Sequence, residues 1–72
     1  MITVYEDDDL GFRVKWNQDA AFQVWYGDQE VDYFSTMEQV GLSDAINLAM
    51  DYCKRTHRFL NGEHRWLRFN FK

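Results

Sequence analysis

The chain contains no proline and one cysteine, Cys53, in 72 residues. Without proline it has no stiff proline-rich linker, and with one cysteine it cannot close an internal disulfide, which fits a reducing cytoplasm. Glycine is scarce as well, and Gly11, Gly27, Gly41 and Gly62 all fall where turns are expected, so no glycine-rich loop is left to cradle a phosphate. No apolar run approaches the roughly 18 residues of a membrane span. The opening residues lack a charged segment followed by an apolar one, so no signal peptide is expected, and the protein reads as cytoplasmic and not membrane-bound. Positive charge is nearly missing from residues 1–51, where eleven carboxylates face only Arg13 and Lys15, a balance of −9. Residues 52–72 reverse this, with Lys54, Arg55, Arg58, Arg65, Arg68 and Lys72 against Glu63, a balance of +5 and a net charge of −4 for the chain. Such a split orients a partner during encounter. The overall acidity disfavours direct nucleic-acid binding, which is driven by many cationic contacts.

What the chain does have is bulk. Aromatic residues make up 18 % and apolar residues 46 %, enough to argue against disorder. At this length there is one domain, residues 1–72, and a small core that leans on large rings. The stretch Leu42–Leu60 repeats Ala45, Ile46, Ala49, Tyr52, Cys53, Thr56 and Leu60 at helical spacing, with Asp44, Asn47, Asp51, Lys54, Arg55 and Arg58 on the other side. Ser43 is the expected N-cap, Asp51 and Arg55 are spaced for an ion pair, and Asn61-Gly62 is the expected stop.

Strand patterns surround this helix. Residues 2–5 open as a strand with Ile2 and Val4 on one face, and the acidic run from Glu6 to Gly11 turns the chain. Phe12, Val14 and Trp16 alternate with Arg13 and Lys15; Phe22, Val24 and Tyr26 alternate with Gln23 and Trp25. Gly27-Asp28 has the chemistry of a type II′ hairpin turn. Residues 30–34 follow as a fourth strand, with Val31 and Tyr33 expected inward. Ser35 and Glu38 have capping-box spacing, which suggests a helical turn before the main helix. After Gly62 the segment from His64 to Lys72 alternates again, with Leu67, Phe69 and Phe71 on one face. The order β-β-β-β-α-β predicts an α+β fold: an antiparallel sheet of four to five strands with one helix on one face.

One helix leaves the second sheet face uncovered. Alternation assigns to it Tyr5, Arg13, Lys15, Gln23, Trp25, Asp32, Phe34, Trp66 and Arg68. Trp, Tyr and Arg are the residue types enriched at interface hot spots. Tyr5, Trp25, Phe34 and Trp66 are therefore the expected anchors of a partner, with Arg13, Lys15 and Arg68 orienting it. The same face could stack RNA bases, but the aromatic signature of sheet-surface RNA binders is absent. The acids Asp7, Asp8, Asp9, Asp19, Asp28, Glu30 and Asp32 are candidates for imitating a row of phosphates.

Other chemistry finds little support. Asp7-Asp8-Asp9 lacks the spacing and length of a calcium loop, and Cys53, His57 and His64 make an incomplete zinc set with Cys53 on the apolar stripe. Cys53 and His57 have neither an orienting third group nor an oxyanion loop. No metal, cofactor or catalytic residue is expected, and the chain reads as a non-enzyme.

The opening VYEDDDLGFRVKW, Val4 to Trp16, resembles the first hairpin of HicB-type antitoxins, and LSDAINLAMDYC sits where their helix sits. In size, acidity and sheet-plus-helix order the chain also resembles the small inhibitors of bacteriophages and mobile elements, such as anti-CRISPR proteins and phage inhibitors of host RNA polymerase. That likeness implies a stoichiometric binder of a host protein or nucleoprotein complex. The antitoxin likeness implies a dimeric regulatory module instead.

Overall fold

Strands β1 (Ile2–Asp7), β2 (Phe12–Trp16), β3 (Ala21–Tyr26) and β4 (Gln29–Ser35) form an antiparallel meander in the order β1-β2-β3-β4. Helix α1 (Leu42–Leu60) then packs on one face of that sheet. The computed structural model describes residues 1–60, and the α+β class follows from them directly. The expected last strand from His64 to Lys72, and with it Trp66 and Arg68, lies outside the described residues, as does the Asn61-Gly62 stop.

Each turn has a local cause. Asp7 Oδ1 accepts the Leu10 amide at 3.0 Å, and the Gly11 amide donates to the Asp7 carbonyl at 2.8 Å. Gly11 closes this turn at φ +73°, and a Cβ there would come within 3.2 Å of the Tyr26 ring. Asn17 Oδ1 accepts the amides of Asp19 and Ala21, an Asx arrangement that holds the β2–β3 turn. Gly27 at φ +60° begins the two-residue loop between Tyr26 and Gln29, as a II′ turn requires. No helical turn forms at Ser35–Glu38. Ser35 ends β4, and the Thr36 and Val40 amides donate to Ala20 and Asp19, tying the connection to the β2–β3 turn.

The core lies between the two central strands and a stripe of small helix residues. Val14, Trp16, Phe22 and Val24 are buried with Ala45, Ala49 and Cys53, which recur every four residues along α1. Small side chains there let the helix approach the sheet closely over β1 and β2. Leu60, read as part of this stripe, is exposed at the helix end. Ser43 is not the N-cap: α1 starts at Leu42, and the Ala45 amide donates to the Gly41 carbonyl at 2.9 Å. The Asp51–Arg55 pair forms as spaced, at 3.1 Å.

The edge strands depart from strict alternation. In β1 the register slips between Thr3 and Tyr5, so Val4 is an extra residue and Tyr5 stands opposite Val14. In β4 the slip leaves Val31 extra, with Asp32 opposite Val24 and Phe34 opposite Phe22. Residues directly opposite share a face. Tyr5, Asp32 and Phe34, expected on the uncovered face, are therefore on the helix side, and Tyr33, expected inward, is on the uncovered side and 55 % exposed. Val31 is not core either. Phe34 stacks between Phe22 (centroids 4.7 Å) and Tyr52 (5.4 Å).

Candidate interaction face

Seen from the side away from α1, the sheet presents Thr3 and Glu6 from β1, Arg13 and Lys15 from β2, Gln23 and Trp25 from β3, and Glu30 and Tyr33 from β4. Of the partner-binding residues expected from sequence, Arg13, Lys15 and Trp25 are brought together here. Tyr5 and Phe34 are removed by the two bulges, and Trp66 and Arg68 lie outside the described residues. Tyr33 takes a place that alternation did not assign to it. The only sequence signal was the adjacent pair Tyr33-Phe34, in which either ring is able to face the core.

Trp25 is the best-positioned ring on this face. Its indole N–H donates to Gln23 Oε1 at 3.0 Å, and the Lys15 ammonium sits 4.8 Å from its ring centroid. These contacts hold a half-buried Trp in one orientation at little entropic cost to a later contact. Arg13 approaches Glu6 at 3.7 Å with both side chains exposed, a pair that solvent and salt screen strongly. The face is thus an aromatic centre with cations on one side and carboxylates at both edges.

The acids proposed as phosphate mimics do not form one row. Asp8 and Asp9 on the β1–β2 turn share an end of the sheet with Asp28, while Asp19 lies at the other end. Glu30 and Asp32 point to opposite faces. Asp7 and Asp32 are engaged within the fold. Asp7 Oδ2 lies 2.7 Å from His57 Nε2, and Asp32 Oδ2 accepts the Tyr52 hydroxyl at 2.6 Å. Burial works to raise the Asp7 carboxyl, but the Leu10 amide and the His57 hydrogen bond and charge outweigh it, and its pKa falls below the ordinary value. Burial, followed by the hydrogen bond and charge of Asp32, pushes the Tyr52 hydroxyl up to about 12.

Among the described residues, Asp7, Asp9 and His57 come nearest to a ligand set, with donor atoms within 4.8 Å of one another. Asp7 and His57 already satisfy each other, so the arrangement is explained as a hydrogen-bonded tie joining α1 to the first turn. Burial and the Asp7 charge push the Cys53 thiol up to about 11. That suppresses the thiolate which zinc binding or nucleophilic attack requires. A recess of about 200 Å³ beside Asp7, Gly11 and Gly27 is smaller than an ordinary ligand pocket. No family model, curated protein or solved structure matches the chain. No described helix is long and apolar enough to cross a membrane.

Proposed function

We propose that the protein is a non-enzymatic binding module that docks on another protein through the sheet face centred on Trp25. The observation that carries this is the pre-ordered ring: Trp25 held by Gln23 and Lys15, with Arg13 and Tyr33 beside it on a surface that the described helix does not cover. Trp, Tyr and Arg in such a setting supply large contact area with few rotamers to freeze. The small acidic chain and its charge split extend the proposal to a stoichiometric inhibitor of phage type, acting on a host protein or nucleoprotein complex. Base stacking is less well supported, because Lys15 already sits over Trp25 and Glu6 and Glu30 flank the face.

The test is capture of partners from nuclease-treated bacterial lysate with tagged wild type, Trp25→Ala and Lys15→Glu. A protein retained stoichiometrically by wild type and lost from both variants, at nearly unchanged melting temperature, is the expected outcome. Recovery of RNA alone, abolished by nuclease, would move the face to base stacking. Equal capture by all three proteins would remove the face from binding altogether.

A further inference from the structure

The bulge in β4 builds an arrangement on the Trp25 face that plain alternation forbids. Glu30 and Tyr33 are three residues apart, so a regular strand would send them to opposite sides. With Val31 extra, Glu30 stands opposite Trp25 and Tyr33 stands opposite Gln23, so the two are neighbours on the uncovered side. Trp25 thus has a carboxylate directly across from it and a second ring on the diagonal. The charges of the face are unequally engaged. Arg13 lies 3.7 Å from Glu6, and the Lys15 ammonium reaches from β2 to 4.8 Å from the Trp25 ring centroid. Glu30 has no ion pair or side-chain hydrogen bond among the described residues, and the Tyr33 hydroxyl has no partner among them either. The adjoining turn adds a further acid, Asp28. What the β4 side of Trp25 lacks is a cation. We propose that the corner formed by Trp25, Glu30 and Tyr33 binds an arginine side chain on a basic segment of the protein partner.

This assignment rests on docking through the Trp25 face, as proposed above, and gives the chemistry of what docks there. A guanidinium is planar, and the face of an aromatic ring attracts it. Diagonal positions on neighbouring strands lie about 7–8 Å apart. Contact with each ring takes about 3.5 Å, so one planar group fits between Trp25 and Tyr33. Glu30, on the same row as Trp25, then accepts a forked pair of N–H bonds from it. An ammonium has neither the plane nor the fork. Lys15 approaches the indole from β2, so the β4 side is the one left for a second cation, and Glu30 there offsets the repulsion between the two. The wider field agrees, since residues 1–51 set eleven carboxylates against Arg13 and Lys15 and so attract a basic segment during encounter. An acidic partner would meet Glu30 with nothing beside it to neutralise the charge.

The experiment titrates the full chain, labelled with ¹⁵N, with an acetylated and amidated pentapeptide of alternating glycine and arginine, and with its lysine and citrulline counterparts. The arginine peptide is expected to give saturable shifts at the Trp25 indole N–H and at the Glu30 and Tyr33 amides. The lysine peptide should bind about tenfold more weakly, and the uncharged citrulline peptide should give no saturable shift. Glu30→Gln should weaken the arginine peptide about tenfold at an unchanged melting temperature. The proposal is overturned by no saturable shift with the arginine peptide, by equal binding of the arginine and lysine peptides, or by shifts centred on Asp8 and Asp9. Full-strength binding to Glu30→Gln overturns it as well. Adding Glu30→Gln to the lysate capture separates this assignment from the docking face on which it rests. A partner lost from Trp25→Ala but retained by Glu30→Gln keeps the face and removes the arginine assignment, whereas equal capture by every variant removes both.

Discussion

In β1 the extra residue Val4 turns Asp7 toward the helix, where it meets His57; in β4 the extra residue Val31 turns Asp32 the same way, where it meets Tyr52. Each bulge thus converts an edge-strand carboxylate into a tie between one side of the sheet and α1. Bulges at sheet edges re-aim single side chains in this manner. The two ties differ in chemistry. The Asp7 carboxylate is largely withdrawn from solvent and faces an ionisable imidazole, whereas Asp32 is exposed and accepts from a neutral phenol. One tie therefore depends on pH in the acid range, and the other is constant until strongly alkaline conditions. Between them the helix is fixed at its end and its middle, so that the small residues Ala45, Ala49 and Cys53 suffice as its buried stripe.

The largest effect separates the bulged register from simple alternation. Phe34→Ala removes a ring stacked between Phe22 and Tyr52 and should cost about 3 kcal/mol. Tyr33→Ala, on the open face, should cost under about 1 kcal/mol. In a domain of this size each kcal/mol is worth roughly 4–8 °C in melting temperature, so thermal denaturation of the two variants distinguishes them clearly. The reverse order would mean that β4 pairs without its bulge.

The same contrast explains what was legible in the sequence. The central strands β2 and β3 are paired on both sides, and their alternation of Phe12, Val14, Trp16 and of Phe22, Val24, Tyr26 gives the observed faces. So does the helical period that begins at Leu42, where the helix starts. Among the described residues the edge strands have a neighbour on one side only, and an extra residue costs them few hydrogen bonds. Their sequence carries no mark of the slip, and reading through it reverses every face beyond that point. Tyr5, Asp32 and Phe34 were misplaced, and Tyr33 missed, for this single reason. Arg13, Lys15 and Trp25 were placed correctly because they lie on regular strands. The ties themselves were invisible, since Asp7–His57 spans fifty residues and Asp32–Tyr52 twenty.

Next in size is the acid-sensitive tie. Asp7→Asn should cost about 1–2 kcal/mol at neutral pH, as loss of a charge-assisted hydrogen bond. Because the Asp7 pKa is lower in the folded chain than its ordinary value of 3.8, its contribution is present above that value and is lost as pH falls through the folded pKa. Denaturant titrations of wild type should show stability declining below about pH 4. The Asn variant should show a shallower decline, and identical slopes would mean that Asp7 is not held by His57.

Tyr52→Phe breaks the second tie while keeping the ring stacked on Phe34. The expected cost is about 0.5–1.5 kcal/mol, and less if solvent replaces the phenol at exposed Asp32. It should be the same at pH 5 and pH 8. With the folded pKa raised from 10.0 to about 12, the stabilisation is complete below pH 10 and is lost between those two values. Phenolate absorbance should show one late-titrating tyrosine in wild type that is missing from the variant.

The smallest effect comes from a pair with ordinary geometry and no burial. Asp51 and Arg55 approach to 3.1 Å on the helix surface, with more than half of each side chain exposed. Water and salt screen them, and ordering two long side chains offsets much of the attraction, so Arg55→Ala should cost about 0.3–0.5 kcal/mol and less at high ionic strength. Asp7–His57 is shorter by only 0.4 Å. If distance governed, the two would contribute alike. A several-fold larger loss for Asp7→Asn than for Arg55→Ala, measured in one buffer, would show that withdrawal of the carboxylate from solvent, brought about by the Val4 bulge, gives the edge tie its strength.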